Sequence, residues 1–147
     1  MKKYDTIYAD PPWKYQDRNC GGGAEKHYST MEIKDICNLP VRQISSDNCI
    51  LFITYKKSGK FFFGLGRWTR GNTEPCLIAT KGKPKRINNS ISQLIIAPIE
   101  KHSKKPDIVR EKIVQLMGDL PRIELFAREK IPGWDVWGNE VESDIIM

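Results

Sequence analysis

The chain has no long apolar run, and that absence sets the first boundary. Its uninterrupted apolar stretches are only a few residues long, far short of the roughly 20 that a membrane-spanning helix needs. The opening "MKKYDTIYADPP" has two lysines but no apolar signal core behind them, so neither a span nor a secretory leader is expected. Cysteine is scarce too. Cys20, Cys37, Cys49 and Cys76 show no paired ligand spacing, so no metal site is expected and the thiols read as packed or idle in a reducing compartment. These absences point to a soluble, cytoplasmic protein with no membrane partner. With 147 residues and no repeat, linker or low-complexity tract, residues 1–147 read as one domain, large enough for one core.

Acidic residues are nearly missing from one segment. Lys56, Lys57, Lys60, Arg67, Arg70, Lys81, Lys83, Lys85 and Arg86 are interrupted by one acid, Glu74, although the whole chain is only +6. Phe61, Phe62, Phe63 and Trp68 lie in the same segment. Charge that can meet phosphates is thus interleaved with rings that can stack on unpaired bases. A solvated basic surface over buried aromatics is the plainer reading of the same composition.

What is present is a set of short strands and one good helix. "YDTIYA" (4–9) mixes β-branched, aromatic and small residues and runs into Pro11-Pro12, which predicts a strand stopped by a turn. A glycine-rich loop follows, then Ser29 and Glu32 at capping-box spacing ahead of Ile33, Ile36 and Cys37, which predicts a short helix before Pro40. "CILFIT" (49–54), "PCLIAT" (75–80) and "LIIAPI" (94–99) read as strands buried on both faces. "KPDIVREKIVQLMGDLP" has Pro106 at a first turn, Asp107 and Glu111 near the positive helix end, Val109, Ile113, Leu116 and Met117 on one stripe, and Gly118 as a stop. "RIELFAR" (122–128) is a further strand, and "IPGWDVWGNEV" reads as a loop carrying Trp134 and Trp137. Strands alternating with helical segments predict an α/β sheet.

In open α/β sheets ligands bind beyond the carboxyl ends of the strands, which singles out Asp10 and the Glu124 to Arg128 region. Two consecutive prolines fix φ and remove two N–H donors. The backbone after Asp10 is therefore expected to offer carbonyls to a ligand, a cradle suited to an amino group. A turn-capping Asp beside a core Trp would be the ordinary structural account. The run "DPPW" (10–13) is more specific than that.

With "DPPWKY", "HYSTMEIKDICNLPV", "FFFGLGRWTRGNTEPCLIATKGKPKR", "HSKKPDIVREKIVQLMGDLPRIELFAR" and "GWDVWGNEV" in this order, the chain resembles the family of the catalytic subunit of the messenger RNA N6-adenosine methyltransferase, and in particular its compact bacterial and bacteriophage members that methylate DNA. The resemblance implies a Rossmann-like fold dependent on S-adenosylmethionine, in permuted order, with the adenine-site motif ahead of the cofactor motifs. It implies an adenine site at Asp10, Pro11, Pro12 and Trp13, and cofactor contacts from Lys105, Glu124, Arg128, Asn139 and Glu140. Tyr15, Arg67, Trp68, Arg70 and Asn72 are the expected substrate contacts, and the expected partner is DNA, with RNA as the alternative. His27 and His102 are single histidines of the kind that is more often structural than catalytic, and Gly64-Leu65-Gly66 is too short for a phosphate-binding fingerprint.

The amine chemistry agrees with this assignment. The N6 lone pair of adenine is delocalised into the ring, so acceptors must engage its hydrogens before it can attack a methyl group, and Asp10 with the Pro11 carbonyl can do so while Trp13 or Tyr15 stacks on the base. The departure from the family lies at "YKKSGK" (55–60). Members normally place a crossover helix and a strand there, and six residues cannot carry a parallel crossover, which takes roughly a dozen or more. A reduced sheet is therefore expected, with a homodimer or partner subunit completing it, or else a catalytically silent nucleic-acid-binding relative.

Overall fold

The computed structural model describes residues 2–14, 30–54, 73–98 and 105–147, together with the backbone of 64–65 and 70–71. Along the chain these form β1 (Tyr4–Ala9), α1 (Ile33–Cys37), α2 (Val41–Ile44), β2 (Ser45–Thr54), β3 (Gly64–Leu65), β4 (Arg70–Gly71), β5 (Cys76–Lys81), α3 (Ile108–Met117), β6 (Arg122–Leu125) and β7 (Asp135–Trp137). Five strands make one mixed sheet in the order β5-β2-β1-β6-β7, and β3 pairs with β4 apart from it. The strands β2, β1, β6 and β7 are mutually parallel and β5 runs antiparallel to β2. All four parallel strands therefore end at one edge, the carboxyl edge.

Alternation along the strands divides the core between the two faces. On one face Ile7 and Ala9 of β1, Cys49 of β2, and Ile123 and Leu125 of β6 pack with Ile44 of α2. On the other, Tyr8, Ile50 and Phe52 pack with Ile113 and Met117 of α3 and with Trp134. Helix α3 begins after Asp107 and stops at Gly118, whose φ of 91° a glycine adopts without strain. Its buried stripe is Arg110, Ile113 and Met117. Among the described residues no helix is long and apolar enough to cross a membrane.

Four expectations need correction. "PCLIAT" does form β5, but as an edge strand it is exposed on both faces, with Leu77 and Ile78 at 54% and 59%; β-strand patterning cannot tell an edge from a centre. "LIIAPI" forms no strand over 94–98, where Leu94 and Ile96 stand exposed. "GWDVWGNEV" is not all loop: Asp135–Trp137 pairs with β6 as β7. The first helix also starts later than its capping box implies, at Ile33 after Glu32, which makes no side-chain cap. Ser29 and the six residues 55–60 lie outside the described residues. β5 runs antiparallel to β2, a pairing that needs no crossover helix.

Candidate functional site

The carboxyl edge gathers most of the polar residues singled out in the sequence. Asp10 follows β1 directly, and its carboxylate accepts a hydrogen bond from the Thr54 hydroxyl at the end of β2. Lys105 brings its ammonium to 3.3 Å from Asp10 and 2.5 Å from Glu74, with its side chain only 12% exposed. Burial works against the charged lysine, but the Asp10 and Glu74 carboxylates outweigh it, so its pKa is raised. Trp13 donates its indole N–H to the Thr54 carbonyl at 3.0 Å and remains half-buried. One threonine thus positions both the acid and the ring.

The proline turn differs from expectation in one respect. The Pro11 carbonyl accepts the Trp13 N–H at 2.9 Å, an i to i+2 bond centred on Pro12, whose fixed φ suits an inverse γ-turn. The Pro12 carbonyl accepts the Met31 N–H at 2.8 Å, and Met31 returns its own carbonyl to the Lys14 N–H at 2.9 Å. The two carbonyls are therefore not free acceptors. Each keeps one lone pair beyond these bonds.

Across β6 the site continues through a buried ion pair. Glu124 is 7% exposed, and the Arg110 guanidinium, from α3, reaches its two oxygens at 2.9 and 3.2 Å. Arg110 also bonds Asp107 and approaches Glu129 at 3.7 Å. Burial raises the Glu124 pKa and Arg110 offsets only part of that. Arg110 was not singled out in the sequence; its signal was a basic residue three and seven positions before Ile113 and Met117, on the buried stripe. Register sets Tyr8 beside Glu124, since the two are paired residues of β1 and β6.

Beyond Leu125 the chain turns through Phe126 at a φ of 62°, in the left-handed region that a non-glycine residue seldom occupies, and its ring meets Trp137 edge-on at 5.3 Å. Ala127 then donates to the Trp137 carbonyl at 3.1 Å. Gly138 lies so close that a Cβ there would fall 2.3 Å from the Ala127 oxygen. This approach aligns the exits of β6 and β7. Arg128 and Glu140, one on each exit, pair at 3.3 Å, with Asn139 exposed beside them.

The remaining expected contacts are not brought together by the described structure. Tyr15, Arg67, Trp68 and Asn72 lie outside it, as do His27 and His102, and Arg70 is described only as backbone in β4. Among the described residues of the basic segment, Lys81, Lys83, Lys85 and Arg86 do not gather around Asp10. Because β5 is antiparallel, Cys76 is paired with Thr54 at the carboxyl edge while Lys81 is paired with Cys49 far down β2, and Lys81 is engaged by Ser45 at 3.1 Å. Lys83, Lys85 and Arg86 follow from that opposite edge. Cys37, Cys49 and Cys76 are free thiols, of which Cys49 alone is buried.

A mixed α/β sheet of five strands is compatible with a methyltransferase-like α/β fold. The chain belongs to the MT-A70 family, whose profile matches residues 56–140. It is similar to the type II methyltransferase M.MunI of a Mycoplasma species, 32% identical over 99% of this chain and 81% of that protein. The human N(6)-adenosine-methyltransferase catalytic subunit METTL3 is 32% identical over 97% of this chain, and an Arabidopsis thaliana N(6)-adenosine-methyltransferase MT-A70-like protein 25% identical over 95%. This chain spans only 29% and 24% of those two. The alignment with M.MunI runs over 189 positions against 147 residues here, so that relative carries residues with no counterpart in this chain.

Methyltransferases of this family depend in general on S-adenosylmethionine. The carboxyl edge fits such a ligand. Carboxylates at Asp10 and Glu124 flank a buried, unpartnered Tyr8 hydroxyl, an acceptor-rich setting for cationic groups. Lys105 supplies the opposite charge, and Arg128, Asn139 and Glu140 offer donors and acceptors further along the edge.

Proposed function

We propose that this chain transfers a methyl group from S-adenosylmethionine to the exocyclic N6 of adenine in DNA. The observation that carries this reading is the Asp10 cluster: a carboxylate at the end of β1, held by Thr54 and Lys105, beside a half-buried indole pinned to the same threonine. Asp10 accepts a hydrogen from the amine and draws the nitrogen toward pyramidal geometry, while Trp13 bounds one face of the base. Lys105, Glu124, Arg128, Asn139 and Glu140 would hold the cofactor, which supplies an electrophilic methyl on a cationic sulfonium. Bound there, it would supply the methyl group and be left as a neutral thioether, while Asp10 would hold the amine and Asp10 or water would take its proton. Positioning and a preorganised acceptor account for most of the rate.

A permuted order belongs to the same reading and is supported by strand β1, which presents Asp10, preceding β6 in the chain and lying beside it in the sheet. Preference for DNA rests on size: the chain spans most of M.MunI but less than a third of METTL3. If the target lies in a duplex, the base must be flipped out at a cost of about a few kcal/mol.

A silent, nucleic-acid-binding relative is the competing reading, favoured by the missing positions and the uncovered β5 edge. Tritiated methyl transfer to adenine-containing DNA and RNA, with Asp10→Ala as the control, separates the two. Incorporation into DNA that falls about 100-fold or more in Asp10→Ala supports the proposal. Incorporation unaffected by that change refutes the site, and DNA binding without incorporation favours the silent relative.

A further inference from the structure

Tyr8 is buried completely, and its hydroxyl is, among the described residues, one of three buried side-chain polar atoms without a hydrogen-bond partner. The other two, Thr6 Oγ1 and Arg122 Nε, lie back toward the amino ends of β1 and β6. Only Tyr8 belongs to the carboxyl-edge cluster. It is paired in register with Glu124, and Asp10 follows two residues along β1 on the same face. Trp134 closes its ring edge-on at 6.5 Å. A phenol is expensive to bury unpartnered, and a phenylalanine would fill the same volume without that cost.

The charges around it indicate what would bind. Burial raises the pKa of the phenol well above its ordinary value, and the negative charges of Asp10 and Glu124 raise it further, with Arg110 countering in part. The hydroxyl therefore stays protonated, and the nearby carboxylates Asp10 and Glu124 are each already paired, with Lys105 and Arg110. Lys105 stands on the other side of Asp10, where it can face a carboxylate. A zwitterionic amino-acid group matches this pattern, its ammonium toward Tyr8 and Asp10 and its carboxylate toward Lys105.

We propose that Tyr8 is a ligand-binding residue whose hydroxyl oxygen accepts a hydrogen bond from the α-ammonium of the methyl donor. The inference rests on the cofactor reading above and extends it to a residue outside the "DPPW" motif.

Calorimetric titration of the wild type and Tyr8→Phe with two probes tests it: S-adenosylhomocysteine, which carries the aminoacyl group, and 5′-methylthioadenosine, which lacks it. The expected result is about a tenfold to hundredfold loss of S-adenosylhomocysteine affinity in Tyr8→Phe, with 5′-methylthioadenosine affinity unchanged. The unliganded variant should melt about 2–6 °C higher, because a buried unsatisfied hydroxyl has been removed; this rise also shows that the variant folds. Unchanged affinity for both probes would overturn the inference and leave the cofactor reading intact. Equal loss for both would place the contact elsewhere and overturn it as well. A wild type that binds neither probe would refute the cofactor reading and this inference with it.

Discussion

Strands β1 and β5 are both six residues long and both rich in apolar or β-branched residues, yet they meet opposite surroundings. β1 has a parallel neighbour on each side and core on both faces, so five of its six residues are buried. β5 has one antiparallel neighbour and five exposed residues. Burial is thus decided by position in the sheet rather than by local composition. Chemistry follows burial: the centre of the sheet can hold Glu124, Arg110 and Tyr8 away from water, where electrostatic effects are strong, whereas β5 offers mainly a surface.

The contrast can be broken most severely at the buried ion pair. Arg110→Met should leave the buried Glu124 without its partner, and denaturant unfolding should register a loss of about 3–5 kcal/mol. Adding Glu124→Leu should recover much of it, since two apolar groups of similar volume tolerate that position better than one orphaned carboxyl group. At the heart of β1, Ile7→Ala should cost about 2–5 kcal/mol in the same assay. A cost below about 1 kcal/mol would mean that β1 is not the core strand described.

Thiol chemistry sharpens the comparison further. Cys49 is buried on β2, and its thiol is pushed up to about 11, first by burial and then by the charge of Asp5. Its neutral form is the one folding favours, so that contribution to stability is complete below the ordinary thiol pKa and is lost as pH climbs through about 11. At pH 8 Cys49 should react about a hundredfold more slowly than an ordinary exposed thiol, while exposed Cys37 is labelled ahead of it. Mass spectrometry after timed alkylation reads the order. The smallest effect belongs to the edge. Leu77→Lys should change unfolding free energy by no more than about 0.5 kcal/mol; a larger loss, or a fall in sedimentation mass on substitution, would show that a second protomer covers β5.

Much of this architecture was legible because local chemistry and tertiary context agree. "YDTIYA" ending at Pro11-Pro12 gave β1 and placed Asp10 at its end, and the stripe closed by Gly118 gave α3. Legibility failed where neighbours decide. Nothing in "PCLIAT" says that one side lacks a strand, and "LIIAPI" has strand composition without a strand partner. β7 was hidden by the glycines on either side of "WDVW", which suggest a loop until β6 supplies a parallel neighbour. At the site, Asp10, Lys105 and Glu124 were visible as residue types in a motif order. The roles of Thr54 and Arg110 were not, because a threonine ending an apolar run and an arginine inside a helix acquire meaning only from what lies opposite.

The double hydrogen bond between the "DPPW" turn and Met31 has a consequence for how the protein can vary. The chain leaves this point after Lys14 and is back at it by Met31, and backbone bonds join those two positions. The entropy of closing a flexible loop rises only slowly with its length, by about 0.6 kcal/mol for each doubling. Insertions or deletions between those two anchors therefore cost the sheet little. The number of residues between Lys14 and Met31 can therefore change while Asp10 stays where β1 puts it.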